Sequence, residues 1–209
     1  MRRDLTDVTV ILDRSGSMQG VAGETIEAFN GFLAEQKAQT GDVTFSLVQF
    51  DDQYETVQCA VPLRSAAPLT KETFVPRGST ALLDALGLTI DRVGARLLAL
   101  AEEDRPSRVV VVLMTDGQEN ASRHYRKHQV TRMVREQEQR YAWTFIFLGA
   151  GLDAIADAAR LGMSTHMASG YRVDGSGIAG AYRSLSRNVT RVRTGDRSGF
   201  TEAERQKMN

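Results

Sequence analysis

Val8-Thr9-Val10-Ile11-Leu12-Asp13-Arg14-Ser15-Gly16-Ser17 decides how this chain is read. Its first half is an apolar, largely β-branched run, the composition of a strand buried on both faces. Its second half sets one carboxylate and two hydroxyls at alternate positions, ahead of Met18-Gln19-Gly20 and a helical pattern. An oxygen-only set of this kind suits a hard divalent cation such as Mg2+. Taken alone, the same residues also make a turn and a helix cap, because Asp and Ser bond readily to nearby backbone N–H groups.

Outward from this stretch, strand and helix patterns alternate, the mark of a parallel α/β sheet. Residues 24–38 read as a helix, with Ile26, Phe29 and Leu33 at helical spacing. Residues 43–50 are a second strand, Asp51-Asp52-Gln53 a tight turn, and 54–61 an antiparallel return. A proline-punctuated loop leads to Gly78-Ser79-Thr80 and a long helix over 81–102, in which Gly87 and Gly94 are read as close-packing positions against the sheet. Residues 108–115 hold Val-Val-Val-Val-Leu-Met, a fully buried strand ending at Asp116-Gly117. A polar helix over 125–140, a strand over 143–148, a helix over 153–161, a short strand near 165–168 and a last helix over 176–193 follow. The expected architecture is α/β and doubly wound: a mostly parallel central sheet with one antiparallel edge strand and helices on both faces. Residues 1–193 are expected to form one domain, with 161–193 as its C-terminal elements. Residues 194–209, polar and carrying Gly195 and Gly199, are expected to be a flexible tail.

The bulk numbers exclude several classes. Lys+Arg and Asp+Glu are both 26, so the formal charge is zero and there is no global pull on nucleic acid or a membrane surface. Cys59 is the single cysteine, which excludes an internal disulfide. No apolar run approaches the ~18 residues that span a bilayer, and the Met1-Arg2-Arg3 start does not read as a signal peptide. A cytoplasmic location is the expectation.

Ligands of open parallel sheets bind outside the carboxyl ends of the strands, where the strand order reverses. Three polar signatures fall at such ends: Asp13-x-Ser15-x-Ser17, Gly78-Ser79-Thr80 and Thr115-Asp116-Gly117. Right-handed crossovers bring their loops to one edge if the chain doubles back after the third strand. The combined set, Asp13, Ser15, Ser17, Thr80 and Asp116, resembles the metal-ion-dependent adhesion site of the von Willebrand factor A (vWA) domain, whose pattern is Asp-x-Ser-x-Ser, a distant Thr and a distant Asp. The resemblance runs from about Thr6 to Leu161. In the wording of its loops the chain is similar to bacterial cytoplasmic vWA proteins, among them those of tellurite-resistance-type operons.

That resemblance implies a Rossmann-like vWA fold and a non-enzymatic module for protein–protein interaction. Ser15, Ser17 and Thr80 would bind Mg2+ through their hydroxyls, with Mn2+ or Ca2+ as substitutes. Asp13 and Asp116 would act through bound waters and by orienting those hydroxyls. A partner protein would offer a carboxylate to the remaining position, and an AAA-type ATPase or a stress-response protein encoded nearby is the implied partner. Two alternatives stand beside this: a metal-dependent phosphohydrolase, and a scaffold whose metal site is structural or vestigial.

Other residues invite roles and have plainer readings. Asp51 and Asp52 lie at the same edge as the metal set, where they would attract a cation or serve the turn. Asp84 is read as a local cap. His124 and His128 have the spacing of a zinc pair but lack a third ligand, so a solvated face is preferred. Arg123, Arg126, Lys127, Arg132 and Arg135 either give the binding edge a basic flank or simply solvate a helix; Arg183, Arg187 and Arg191 form a similar stripe. No GxxxxGK[ST], GxGxxG or GxSxG pattern is present.

Overall fold

The structure, a computed structural model, describes residues 1–151 and 153–208. The β-branched and aromatic runs become β1 (Arg2–Asp13), β2 (Asp42–Phe50), β3 (Tyr54–Pro62), β4 (Pro106–Thr115), β5 (Thr144–Ala150) and β6 (Ala168–Tyr171). Between and after them lie α1 (Ala22–Ala38), α2 (Leu82–Leu98), α3 (Lys127–Tyr141), α4 (Ala154–Arg160), α5 (Gly175–Arg193) and α6 (Glu202–Gln206). Among the described residues these strands form one six-stranded sheet in the order β3-β2-β1-β4-β5-β6. β3 alone runs antiparallel, against β2, and the other pairings are parallel.

Both faces of the sheet are covered, because successive strand residues point to opposite sides. Val8, Val10 and Leu12 of β1, with Val110, Val112 and Met114 of β4, pack on Phe29 and Phe32 of α1 and Tyr182 and Leu185 of α5. Ile11, Val109, Val111 and Leu113 pack the other way, on Leu86 and Ile90 of α2, Val130 and Val134 of α3, and Ala158 of α4. Two buried layers explain why β1 and β4 read as continuous apolar runs rather than alternating ones.

Four expectations need correction. The long helix stops at Leu98 rather than reaching 102, since Arg105 Nη2 and Nε bond to the Leu98 and Leu100 carbonyls and turn the chain. The strand near 165–168 is displaced: 165–167 is a single helical turn and β6 follows it. Gly87 meets Tyr125, not the sheet; a Cβ there would stand 2.4 Å from the ring, whereas Gly94 faces open space. Residues 194–208, expected to be a flexible tail, are packed. Phe200, Glu204 and Met208 are buried, Arg191 holds Glu204 at 2.9 Å, and the Arg172 N–H donates to the Met208 carbonyl at 2.8 Å. The signal for this was present. Thr201-x-x-Glu204 is a capping box, and Phe200 and Met208 flank it as apolar anchors.

No helix among the described residues is long and apolar enough to cross a membrane.

Candidate metal centre

After β1 the chain moves to β2 and β3 on one side, then returns through α2 to β4 on the other. The order therefore reverses between β1 and β4, and the three polar signatures meet there. Asp13 closes β1 and is fully buried. Its Oδ2 accepts from Thr115 Oγ1 at 2.5 Å, and its Oδ1 accepts from the Ser15 N–H at 2.7 Å. Ser15 and Ser17 hydroxyls lie 3.1 Å apart, and Ser17 Oγ donates to Asp116 Oδ1 at 2.8 Å. Thr80 is buried beside them: a Cβ on Gly117 would stand 3.0 Å from its hydroxyl oxygen and 3.8 Å from that of Ser17. The structure thus brings all five residues to one edge, with Ser17 exposed and Asp116 half-buried at the opening.

The loop after β4 anchors Thr80. Asn120 Oδ1 accepts from the Thr80 N–H at 2.9 Å, and the Asn120 N–H donates to the Thr80 carbonyl at 3.0 Å. Glu119 accepts from the Leu83 N–H and Ser122 Oγ from the Asp84 N–H, so this loop caps the free N–H groups at the start of α2. Asp84 in turn accepts from the N–H groups of Arg123, His124 and Tyr125, a local role rather than a metal one.

Sequence reasoning missed a second network that holds the first two loops together. Asp51, fully buried, takes Arg14 Nε at 3.1 Å and Arg77 Nε at 2.9 Å on one oxygen, and its carbonyl accepts from the Ala81 N–H. The Arg77 N–H donates back to the Arg14 carbonyl at 2.8 Å. Arg14 also reaches Glu55 at 2.6 Å. Asp51 is therefore committed to arginines that flank the Ser and Thr loops, while Asp52 is exposed. The cue was Arg14 itself, a cation placed between an apolar strand and the hydroxyls, which must find an anion if buried.

The charges at the edge are unbalanced. Burial pushes the Asp13 carboxyl up to about 6, against the opposing pull of its bonds from Thr115 and Ser15. Burial also raises Asp116 above the ordinary carboxylate range, partly offset by Ser17. At Asp51 burial acts in the same direction, but the Gln53 N–H, Arg77 and Arg14 outweigh it and hold the group below that range. Buried acids elsewhere have arginine partners: Asp7 has Arg96, Asp51 has Arg14 and Arg77, and Glu204 has Arg191. Among the described residues no salt bridge reaches Asp13 or Asp116. Two carboxylates without a cation, beside three hydroxyls, are a donor set that fits a hard divalent ion.

No group of three or more His, Cys, Asp or Glu residues placed to hold a metal ion is found among the described residues, at this edge or away from it, so the fit rests on two carboxylates and three hydroxyls. His124 and His128 are both exposed, as a solvated face requires.

The von Willebrand factor type A domain model matches residues 7–174 of this chain. Among curated protein sequences none matches it. In fold it is similar to proximal thread matrix protein 1 from the mussel byssus, with a TM-score of 0.63 and 20% identity over 90% of this chain and 48% of that one. The von Willebrand factor type A protein from Catenulispora acidiphila gives 0.57 and 18%, over 88% of this chain and 42% of that one. The PilB minor pilin from Streptococcus sanguinis gives 0.62 and 11%, over 91% and 62%. The chain spans about half the length of the first two. These identities speak to fold alone, and the family rests on the match across residues 7–174: the chain belongs to the von Willebrand factor type A domain family.

Proposed function

We propose that this chain is a Mg2+-dependent protein-interaction module that grips an acidic side chain of a partner. Ser15, Ser17 and Thr80 would hold the cation through their hydroxyls, while Asp13 and Asp116 orient those hydroxyls and its waters. The observation that carries the reading is the pair of buried or half-buried carboxylates, Asp13 and Asp116, left without a cationic side chain beside the hydroxyl cluster. Neutral direct ligands leave a bound cation strongly electrophilic, and that is the chemistry it supplies toward a partner's carboxylate. Thr115 fixes the Asp13 carboxylate, and Asn120 fixes the Thr80 backbone, so the hydroxyls are placed before any ion arrives.

Membership of the family supports a divalent-metal interaction module in general. A structure of the mussel byssus protein is described with a zinc-occupied MIDAS motif, which supports a divalent ion without selecting one. Mg2+ is our choice because it is small, prefers oxygen and keeps its waters. Mn2+ is the convenient substitute, and Ca2+ a weaker one. The proposal assigns no reaction to the site. A cytoplasmic setting in a bacterium belongs to the same proposal, consistent with one free, exposed cysteine. An AAA-type ATPase or a stress-response protein encoded nearby is the partner to try first.

The test is thermal melting with and without Mg2+ or Mn2+, paired with partner capture in metal and in chelator. Wild type should melt higher with metal, and Thr80→Ala should lose both the shift and the capture. A wild-type protein whose melting ignores every divalent ion would remove the reading.

A further inference from the structure

The outer side of α3 is basic along its length. Lys127, Arg132, Arg135 and Arg140, with Arg160 at the end of α4 and Glu136 as the acidic exception, line one open groove. A second groove, lined by Gly117 and Gln118 and by charges of both signs (Glu119 and Asp157 with Lys127 and Arg160), adjoins it and opens onto the loop that carries Asp116. Lys127 and Arg160 belong to both, so the basic α3 groove is joined to the metal edge through a stretch of mixed charge. Arg140 pairs with Glu136 at 3.6 Å and Arg160 with Asp157 at 2.7 Å. Lys127, Arg132 and Arg135 are exposed and have no ion pair among the described residues. The chain as a whole is neutral, so this is charge separation rather than surplus. Glu24, Glu27 and Glu35 of α1 lie across the sheet, on the opposite face.

We propose that the α3 groove is the second half of the partner site: it takes an acidic segment of the same protein whose carboxylate meets the metal. The inference rests on the reading given under Proposed function and extends it to partner specificity. From Lys127 to Arg140 the helix rises about 20 Å, the reach of roughly six extended residues. An aspartate- or glutamate-rich stretch longer than that would lie with one carboxylate at the metal and its neighbours beside Lys127, Arg132 and Arg135. Such exposed charges steer encounter and select partners more than they add raw affinity. The α3 groove lining holds no Phe, Tyr or Trp ring, and Phe147 of the adjoining groove is buried, so no ring is exposed there for base stacking; this favours an acidic protein segment over single-stranded nucleic acid.

The experiment measures anisotropy of a fluorescein-labelled oligoglutamate peptide against the full chain in Mn2+ and in chelator. A capped single-glutamate peptide and a single-stranded DNA oligonucleotide serve as comparison probes. The R132E/R135E double variant should bind oligoglutamate about tenfold more weakly, with its Mn2+-induced melting shift intact and its response to the single-glutamate peptide unchanged. Unchanged oligoglutamate binding in that variant overturns the proposal. So does DNA that binds more tightly than oligoglutamate and loses its affinity with the two arginines, since the face would then read phosphate. A wild type that ignores Mn2+ strikes the metal reading alone. The α3 groove is then scored separately, by whether oligoglutamate binding in chelator is salt-sensitive and lost in the double variant.

Discussion

Replacing Asp13 with Asn should stabilise the metal-free protein, although the residue is fully buried and twice hydrogen-bonded. The folded chain raises the Asp13 carboxyl from 3.8 to about 6, a shift of about two units, which corresponds to about 3 kcal/mol against the fold once the group ionises. The sign follows from proton binding. The folded state holds the proton more tightly than the unfolded chain, so stability falls as pH rises from near 4 to 6 and the full cost is present above that. Asparagine carries no such cost and also fits. Its oxygen keeps the Ser15 N–H, and its amide donates to Thr115 Oγ1, whose proton turns to the Gly117 carbonyl 3.0 Å away. At pH 7.5 in chelator the variant should melt above wild type by roughly 5–10 °C, from about 2–3 kcal/mol in a chain of this size. The gap should close below about pH 4, where wild-type Asp13 is itself protonated. Mn2+ at about a hundredfold its dissociation constant stabilises wild type by about 2.7 kcal/mol and should bring the two level, while leaving the variant unmoved. Differential scanning fluorimetry across pH, with and without Mn2+, reads all of this. A variant that melts below wild type in chelator at pH 7.5, or that still responds to Mn2+, refutes the reasoning.

Other outcomes follow from the same geometry. Asp51→Asn should weaken Mn2+ binding by roughly tenfold or more through the Ser and Thr loops it ties together. Asp7→Asn, which removes the charge paired with Arg96 at 2.9 Å elsewhere on the sheet, should leave Mn2+ affinity unchanged, and isothermal titration reads this. Mn2+ affinity of the wild type should fall as pH drops below about 6, because the proton that Asp13 takes up competes with the ion, and a pH-independent affinity would contradict this. Phe200→Ala should cost about 3 kcal/mol or more in urea unfolding, as for a buried aromatic in a core; a negligible loss would mean that residues 194–208 do not pack as described.

Much of the architecture was legible because it rests on local pattern. The Val-rich runs of β1 and β4 declare strands buried on both sides, and the three-to-four spacing along α1 and α2 declares helices. Less legible were features whose partners lie far away in the chain. The Gly87 pocket needs Tyr125, which arrives 38 residues later, and the Arg14–Asp51–Arg77 hub joins three separate loops. Helix and strand ends also escaped, since the stop at Leu98 depends on a side chain from Arg105, beyond the helix itself.

Read without its fold, the chain already names the chemical inventory of the candidate site: Asp13, Ser15, Ser17, Thr80 and Asp116, each at the end of an apolar strand or the start of a helix. Residue type and spacing are local properties, and they sufficed to pick oxygen donors over nitrogen and sulfur. Tertiary structure alone decided which charges are compensated. Asp13 and Asp51 are both aspartates just past the apolar core of a strand; the hydroxyls that follow Asp13 mark it as a candidate donor, but its sequence neighbours do not show which of the two carboxylates folding pairs with a cation. Folding brings two arginines to Asp51 and only hydroxyl and amide protons to Asp13. The difference is set by distance and burial across loops remote in sequence. It leaves the negative charge where the hydroxyls are.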